Sequence, residues 1–240
     1  VLNQSDACEP LEVYAAKNPN EQIRRESSSG GIFTLLAEHI IDAGGVVFGV
    51  KWNELFEAVH AYTETKEGLA AFRGSKYVQS KVGETFKQAE QFLKDGRQVL
   101  YTGTPCQISG LKKFLRKEYE NLLTVDIVCH AVPSPLVWRQ YIEEYKIAND
   151  AIKINSINFR DKTFGWRNYH ISMSFVNSCN KSITKMLPHD DDMYFKGFLN
   201  QLYLRPSCYF CCAKGVQSGS DILIGDCWGI DSLRKDYNDN

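Results

Sequence analysis

The sequence predicts an α/β fold: a mixed sheet flanked by helices, with a smaller antiparallel β portion and a cysteine-rich C-terminal segment. Three observations predict it. Strand-like and helix-like segments alternate as far as residue 150, as in an α/β core. From Ile152 onward, apolar and polar residues alternate as in half-buried antiparallel strands. After residue 205 the chain carries Cys208, Cys211, Cys212 and Cys227.

The elements of the first part follow from apolar periodicity and from glycines that end helices. Helices are predicted at Ile32–Ile41, which stops at Gly44-Gly45, at Gly83–Lys94 and at Cys106–Lys117. Buried strands are predicted at Val46–Val50, with Ala58–Thr63 as its antiparallel neighbour, at Gln98–Thr102 and at Leu122–Val128.

In the second part, Ser134 as N-cap and Pro135 at the first helical position predict a helix to about Lys146. Two half-buried strands, a further helix and a short strand complete the prediction. They are Ile152–Arg160, Tyr169–Val176, a helix that follows Asp190-Asp191-Asp192 and runs to about Leu204, and Ile222–Ile224. The three aspartates suit a helix N-terminus, where negative charge is favoured.

Composition excludes several classes of protein. The net charge is −1, so the chain has no general attraction for nucleic acid or anionic membranes. We find neither an apolar run long enough to span a bilayer nor a secretory signal, and we expect a cytoplasmic protein. Its eight cysteines do not suit a short disulfide-stapled scaffold, because the chain is neither short nor loop-rich. Metal or redox chemistry is the better interpretation of at least four of them.

Cys106 and Cys129 each follow a short apolar strand, and a predicted helix lies between them. Such strand–helix–strand units place their strands parallel, so both thiols should emerge at the carboxyl edge of the sheet, where ligands bind. Cys106 also begins a helix, whose dipole stabilises the thiolate that a metal requires.

Cys208 and Cys211 form a CxxC pair, which can chelate one metal centre from a single turn. Together with Cys106 and Cys129 they supply the four thiolates typical of a cubane cluster, although zinc sites and dithiol redox sites share the CxxC spacing. Cys212 should point elsewhere and Cys227 is a reserve ligand. We expect the remaining cysteines, Cys8 and Cys179, to be small buried side chains.

Three polar stretches could hold a phosphate-bearing cofactor. Ser27–Gly31 precedes a helix and lets backbone amides approach a phosphate, or it is an ordinary flexible cap. Gly74–Ser80 carries Lys76, which could pair with a phosphate or simply be solvated. Thr102–Pro105 lies between a strand and a helix and could line a cofactor ring, or it is a plain turn. His130 is a candidate for proton transfer, or a structural hydrogen-bonding residue.

Six ordered blocks together resemble the beta subunit family of coenzyme F-420 hydrogenases and dehydrogenases. The resemblance extends from about residue 20 to residue 231. The blocks are SSSGG (Ser27–Gly31), GSKYVQS (Gly74–Ser80), YTGTPCQ (Tyr101–Gln107), DIVCHAVPSP (Asp126–Pro135), SCYFCCAKG (Ser207–Gly215) and SDILIGDCWG (Ser220–Gly229).

The resemblance implies FAD and one [4Fe-4S] cluster, with electrons passing between them. It assigns the cluster to Cys106, Cys129, Cys208 and Cys211. It assigns flavin contacts to Ser28, Ser29, Gly30, Gly31, Gly74, Ser75, Lys76, Tyr77, Gln79, Ser80, Thr102, Gly103 and Thr104. Lys76 and His130 are the candidate catalytic residues, Lys76 for an anionic reduced flavin. Cys227 stands where the family often carries an aromatic residue, so its role as a ligand stays open.

The resemblance also predicts organisation and partners. Residues 1–25 are expected to be a leader or linker after a ferredoxin module that is missing from this sequence. Residues 26–150 are expected to form an α/β flavin-binding core, and residues 151–240 antiparallel strands, a helix and a cysteine-rich cluster-binding segment that pack on it. The expected partners are an electron-donor ferredoxin domain or protein and a small-molecule hydride donor or acceptor. That molecule is expected to be an F-420-type deazaflavin or another small compound, with polysaccharide metabolism as one source. The oligomeric state is left open, a homo-oligomer included.

Three other functions are compatible with the same residues. The first is a zinc protein with a structural four-cysteine site. The second is a thiol enzyme with Cys106 as nucleophile, and the third is an electron-relay or assembly subunit without a substrate of its own.

Overall fold

The computed structural model describes residues 9–234, which form two compact units. The first unit contains residues 9–73, 80–130 and 210–234, and the second contains residues 74–79 and 131–209. This division differs from boundaries at residues 25 and 150, because the chain enters the second unit at residue 131 and returns to the first at residue 210. Among residues 9–234, no helix is long and apolar enough to cross a bilayer.

Within the described residues the helices are α1 (Glu21–Glu26), α2 (Ile32–Asp42), α3 (Thr85–Lys94), α4 (Pro105–Leu115), α5 (Pro135–Ala148), α6 (Met193–Leu199), α7 (Pro206–Tyr209) and α8 (Ile230–Leu233). The strands are β1 (Val46–Trp52), β2 (Ala58–Thr63), β3 (Val99–Gly103), β4 (Leu122–Ile127), β5 (Ala151–Asp161), β6 (His170–Asn177), β7 (Ser182–Pro188) and β8 (Ile222–Ile224). A 3₁₀ helix spans Glu67–Phe72.

The first unit is built on a mixed sheet with the strand order β2-β1-β3-β4-β8. Strands β1, β3, β4 and β8 run parallel to one another, and β2 pairs antiparallel with β1. The unit β3–α4–β4 is therefore the strand–helix–strand arrangement that the sequence predicts. Together with the antiparallel sheet of the second unit, this confirms the predicted α/β fold class.

Helices cover both faces of this sheet because successive strand residues point in opposite directions. One face packs Phe48 and Tyr101 against the helices α3 and α4. The other face packs Val47 and Leu100 against helix α2. These strand side chains are fully buried, and each contributes roughly 1.5–3 kcal/mol by leaving water.

The second unit contains an antiparallel sheet with the order β5-β6-β7. Its core is aromatic: the Trp138 ring lies 5.3 Å from the Phe159 ring and 5.0 Å from the Tyr194 ring, measured between centroids. Ser134 caps helix α5 by accepting a hydrogen bond from the Leu136 amide, as predicted.

Helix α6 is shorter than predicted and ends at Leu199. The chain turns there because Gln201 adopts a left-handed conformation, with φ of 61°. The amide of Leu202 then donates to the carbonyl of Gly197, which closes the helix end.

Candidate functional site

The carboxyl edge of the parallel strands in the first unit collects three cysteines. Strands β3, β4 and β8 lie side by side, and Cys106, Cys129 and Cys227 each follow the end of one of them. The register aligns Gly103 with Asp126 and Ile127 with Ile224, so the three strands end at the same edge. The predicted parallel pairing of the strands before Cys106 and Cys129 is confirmed, and Cys227 joins them through strand β8.

Helix α4 begins directly at this edge. Thr104 is its N-cap, Pro105 occupies the first turn and Cys106 follows with an exposed thiol. The Thr104 hydroxyl lies 3.3 Å from Cys106 Sγ. The side-chain carbonyl of Gln107 accepts from the Thr104 amide at 2.9 Å and from the Thr104 hydroxyl at 3.0 Å. Gln107 therefore holds the start of the helix, as in a capping box.

A buried histidine lies behind this turn. His60, on strand β2, is 7% exposed, and its Nε2 lies 3.3 Å from the carbonyl oxygen of Thr102. Its Nδ1 lies 3.2 Å from Ser80 Oγ, and Gln107 donates to the same oxygen at 2.9 Å. Burial lowers the pKa of His60 to about 4, and the hydrogen bond to Thr102 opposes that shift. His60 is thus neutral in the native chain.

Neither His60 nor Gln107 is among the site residues predicted from the sequence. A signal for His60 was available, because the alternation of strand β2 puts residues 58 and 60 on its buried face. A histidine on a buried face is an informative exception to the usual distribution of residues. Gln107 is recognisable three residues after Thr104, in the spacing of a capping box.

The N-terminus of helix α2 is the second candidate binding feature. Helix α2 packs on the sheet and leads into β1 through a short turn, so its N-terminus points to the carboxyl edge of β1. No side chain caps it, and Gly31 stands at the N-cap with φ of 74°. A Cβ added at Gly30 would lie 3.0 Å from the carbonyl oxygen of Ala16. Gly30 is thus packed against the backbone of residue 16. The predicted stretch Ser27–Gly31 leads to amides at the start of α2 that no side chain caps, and such amides are the groups with which a helix N-terminus binds an anion.

Within that stretch, Ser27 has a structural role. Its hydroxyl donates to the carbonyl of Ile23 at 2.7 Å and closes helix α1. Asn18 holds the two glycines of this stretch. Its backbone N–H donates to the carbonyl of Gly30, and its side-chain amide donates to the carbonyl of Gly31.

The stretch Gly74–Ser80 is divided between the units. Gly74 to Gln79 belong to the second unit, whereas Ser80 belongs to the first. Tyr77 packs in the aromatic core, with its ring centroid 5.0 Å from that of Phe195, and its hydroxyl accepts from Arg160 at 3.2 Å. Gln79 donates its amide to the carbonyl of Pro133.

Lys76 is the titratable residue of this stretch. Its ammonium donates to the carbonyl of Gly74 at 3.1 Å. Burial lowers the pKa of Lys76 to about 8. A nearby anion would favour the charged form of Lys76. Of the two interpretations of this lysine, contact with an anionic partner therefore fits its burial better than a solvated surface position.

The other predicted residues have varied surroundings. His130 is exposed, and its carbonyl accepts from Lys214. Cys129, Cys208 and Cys211 are half-buried, whereas Cys212 and Cys227 are exposed. Cys208 lies in the second unit and Cys211 in the first. Cys179 is exposed in the turn after β6, so its prediction as a buried side chain is wrong; Cys8 lies outside the described residues.

The thiols are not gathered into a metal-binding group. In residues 9–234, no three cysteine, histidine, aspartate or glutamate side chains lie together in a way that could hold a metal ion. The donor type nevertheless suits iron or zinc, because the described cysteines are free thiols.

Two family models match the chain, and both describe the same family. Residues 13–87 match the model described as coenzyme F420 hydrogenase/dehydrogenase, beta subunit N-term, and residues 96–238 match the model of its C terminus. A solved structure of the F420-reducing [NiFe] hydrogenase complex from Methanosarcina barkeri, in a xenon derivative, has a chain of similar fold. The TM-score is 0.55 at 15% identity, over 88% of this chain and 68% of that chain.

At that identity the solved structure establishes the fold alone. No curated protein matches the chain. The two family models cover most of its length, and their order along the chain is the order of the blocks found in the sequence. The chain belongs to the coenzyme F420 hydrogenase/dehydrogenase beta subunit family.

Proposed function

We propose that this chain is an iron–sulfur flavoprotein oxidoreductase. It exchanges electrons between a [4Fe-4S] cluster, FAD and a small hydride-accepting molecule, either an F-420-type deazaflavin or another compound. The observation that carries the proposal is the carboxyl edge of the first unit. There α4 begins after the end of β3 and carries Cys106, the N-terminus of α2 faces the end of the neighbouring strand β1, and Cys129 and Cys227 follow the ends of β4 and β8.

The edge has the properties that a flavin dinucleotide needs. The uncapped N-terminus of α2 suits a diphosphate, because its amides donate and its dipole favours negative charge. Ser28, Ser29, Gly30 and Gly31 would line that position. The turn Thr102, Gly103 and Thr104 would line a ring. Lys76 is the proposed contact for an anionic part of the flavin, and His130, which is exposed, is the proposed residue for proton transfer.

The proposed cluster ligands are Cys106, Cys129, Cys208 and Cys211, with Cys227 as the alternative. Four thiolates are the usual ligand set of a [4Fe-4S] cluster. When bound, the flavin supplies two-electron chemistry and the cluster one-electron transfer, while the protein positions both and tunes their potentials. A ferredoxin domain or protein is the proposed electron donor. The solved structure of similar fold is a hydrogenase complex, which supports a role for this chain beside partner subunits.

Anaerobic reconstitution tests the proposal. The wild-type chain, incubated with iron, sulfide and FAD, should acquire a brown colour that bleaches on reduction. Iron, acid-labile sulfide and flavin should be retained after gel filtration. Cys106→Ser should lose the iron and the colour, whereas Cys179→Ser, which changes an exposed turn cysteine of the second unit, should keep both.

A colourless wild-type protein that holds tightly bound zinc and no flavin would overturn the proposal and favour a structural zinc site. If cluster and flavin are retained, the substrate is tested next. Reduced F-420-type deazaflavin should bleach the bound flavin under anaerobic conditions, and failure would direct the search to other hydride donors.

A further inference from the structure

A chain of hydrogen bonds runs behind the turn Thr102–Cys106. It begins at the Thr102 carbonyl and passes through His60, Ser80 and Gln107 to Thr104. All of these residues belong to the first unit. The donor–acceptor distances are 3.3, 3.2, 2.9 and 3.0 Å in that order. The Thr104 hydroxyl then lies 3.3 Å from Cys106 Sγ.

The donor and acceptor of each hydrogen bond in this network follow from the chemistry of the groups. The Thr102 carbonyl only accepts, so Nε2 of His60 must carry the proton and donate to it. Nδ1 of the neutral ring then accepts from the Ser80 hydroxyl. The Ser80 oxygen accepts from the Gln107 amide, which orients the Gln107 carbonyl oxygen towards Thr104. Since the Thr104 hydroxyl donates to Gln107, the Cys106 thiol is the donor in its contact with Thr104.

The turn has little room to adopt another conformation. A Cβ added at Gly103 would lie 3.2 Å from both Cβ and Oε1 of Gln107, and 3.6 Å from Nε2 of His60. The His60 ring also stacks on buried Tyr101, with 5.6 Å between the centroids and 16° between the planes. Packing therefore holds the imidazole at the place where the hydrogen bonds need it.

We propose that His60 is a positioning residue for the turn Thr102–Cys106 and acts on it through Ser80 and Gln107. Through this network the Thr102 carbonyl is hydrogen-bonded to buried His60, and the Thr104 amide is hydrogen-bonded to Gln107. Ser80 accordingly acts from behind the turn as a bridge. That the positioned turn helps to bind a cofactor rests on the proposed function. The positioning itself is a property of the cofactor-free chain.

Nuclear magnetic resonance of the cofactor-free, full-length chain tests the inference. With ¹⁵N-labelled histidine, His60 should be neutral at neutral pH, with Nε2 protonated and Nδ1 in the range of a hydrogen-bond acceptor. The chain has five histidines, and His60→Gln assigns the signal. Ser80→Ala should shift the Nδ1 resonance of His60 and leave the other histidines unchanged.

The same variant should loosen the turn. In Ser80→Ala, the Thr104 amide should exchange with solvent about fivefold faster, as expected for the loss of one hydrogen bond's support. Ser80→Thr keeps the hydroxyl and should restore both the wild-type Nδ1 resonance and slow exchange. The matched control is Thr34→Val, which removes a buried hydroxyl that accepts from Arg73 at 3.1 Å and should change neither the tautomer of His60 nor the exchange at Thr104.

Two results would overturn the inference: protonation of His60 on Nδ1, or unchanged Thr104 exchange in a folded Ser80→Ala protein. If Ser80→Ala does not fold, the tautomer of His60 in the wild-type chain decides between the two outcomes. Failure of the proposed function would look different, because it would be a wild-type chain that retains no flavin and no iron.

Discussion

At the scale of single residues, His60 links stability to acidity. Its pKa is lowered by burial from 6.5 to about 4 in the native chain. As the pH falls below the unfolded value, the unfolded chain takes up a proton that the native chain does not, so acid favours unfolding. Above pH 6.5 neither state is protonated at this residue, and the linkage vanishes.

We expect His60 alone to lower the free energy of unfolding by about 3 kcal/mol between neutral pH and pH about 4. Urea unfolding curves across this range measure the effect. In His60→Gln the decline should be smaller by about that amount, even if the variant is less stable at neutral pH. His39→Gln, at an exposed histidine of helix α2, should retain the wild-type pH dependence. Equal slopes for all three proteins would contradict the assignment.

Lys76 supplies a second residue-scale prediction. Burial lowers its pKa to about 8, whereas an exposed lysine titrates near about 10.4. After ¹³C reductive methylation, one lysine resonance should titrate near pH 8, and Lys76→Arg should remove that resonance. Adding FAD should move this titration upward, because an anionic partner favours the ammonium. An unmoved titration at saturating FAD would exclude Lys76 as a flavin contact.

At the scale of elements, the sequence predicted the parts of the fold that are governed by local periodicity. Helix α2 and the strands β1 and β2 were identified within two residues of their observed bounds. Strand β7 was missed because SITKMLP lies at the edge of its sheet, half-buried or exposed along its length, and lacks a clear apolar alternation. Helix α1 buries none of its residues, so it has no apolar face to recognise.

The candidate site was predictable only to the extent that topology determines it. Cys106 and Cys129 could be assigned to one sheet edge because a strand–helix–strand unit has a fixed sense. The approach of His60 to Thr102 could not, since it depends on how β2 pairs with β1 and β1 with β3. The return of the chain to the first unit at residue 210 could not be predicted from the sequence either. This return adds β8 beside β4 and brings Cys227 to the edge.

Glycine-to-alanine substitutions at two positions should change the stability of the chain in opposite directions. Gly110 lies inside helix α4, and an added Cβ would meet only the Phe86 ring, at 3.6 Å. Gly110→Ala should therefore stabilise the chain by roughly 0.5–1 kcal/mol, because alanine favours the helix. Gly49 lies in strand β1, where an added Cβ would be 2.6 Å from Phe72. Gly49→Ala should destabilise by about 1–3 kcal/mol through overpacking.

Chemical denaturation at neutral pH measures both changes. The sign is the informative part: the same added methyl group should raise stability in α4 and lower it in β1. If Gly49→Ala were neutral, the Phe72 side chain would have to move away without cost, and the packing of the 3₁₀ helix on β1 would be looser than the structure indicates.

At the scale of the whole molecule, the first unit is assembled from segments far apart in the chain. Cys106 and Cys211 both belong to it, although the entire described second unit except residues 74–79 lies between them in sequence. A metal centre that binds both thiolates would connect these segments in the native state only. The unfolded chain would lose that connection, so cluster binding should appear as added stability.

We therefore expect cluster loading to raise the midpoint of thermal unfolding, measured by calorimetry under anaerobic conditions. If the free cluster is at a hundredfold excess over its dissociation constant, the free energy of unfolding rises by about 2.7 kcal/mol. For a chain of this size that raises the midpoint by several degrees. Cys211→Ser should lose the gain, whereas its neighbour Cys212→Ser should keep it. The pair is matched because both changes fall in the same segment, yet Cys211 is half-buried and Cys212 exposed. The reverse result would make Cys212 the ligand, and a gain retained in both variants would shift the assignment to Cys227, whose strand already ends beside that of Cys129.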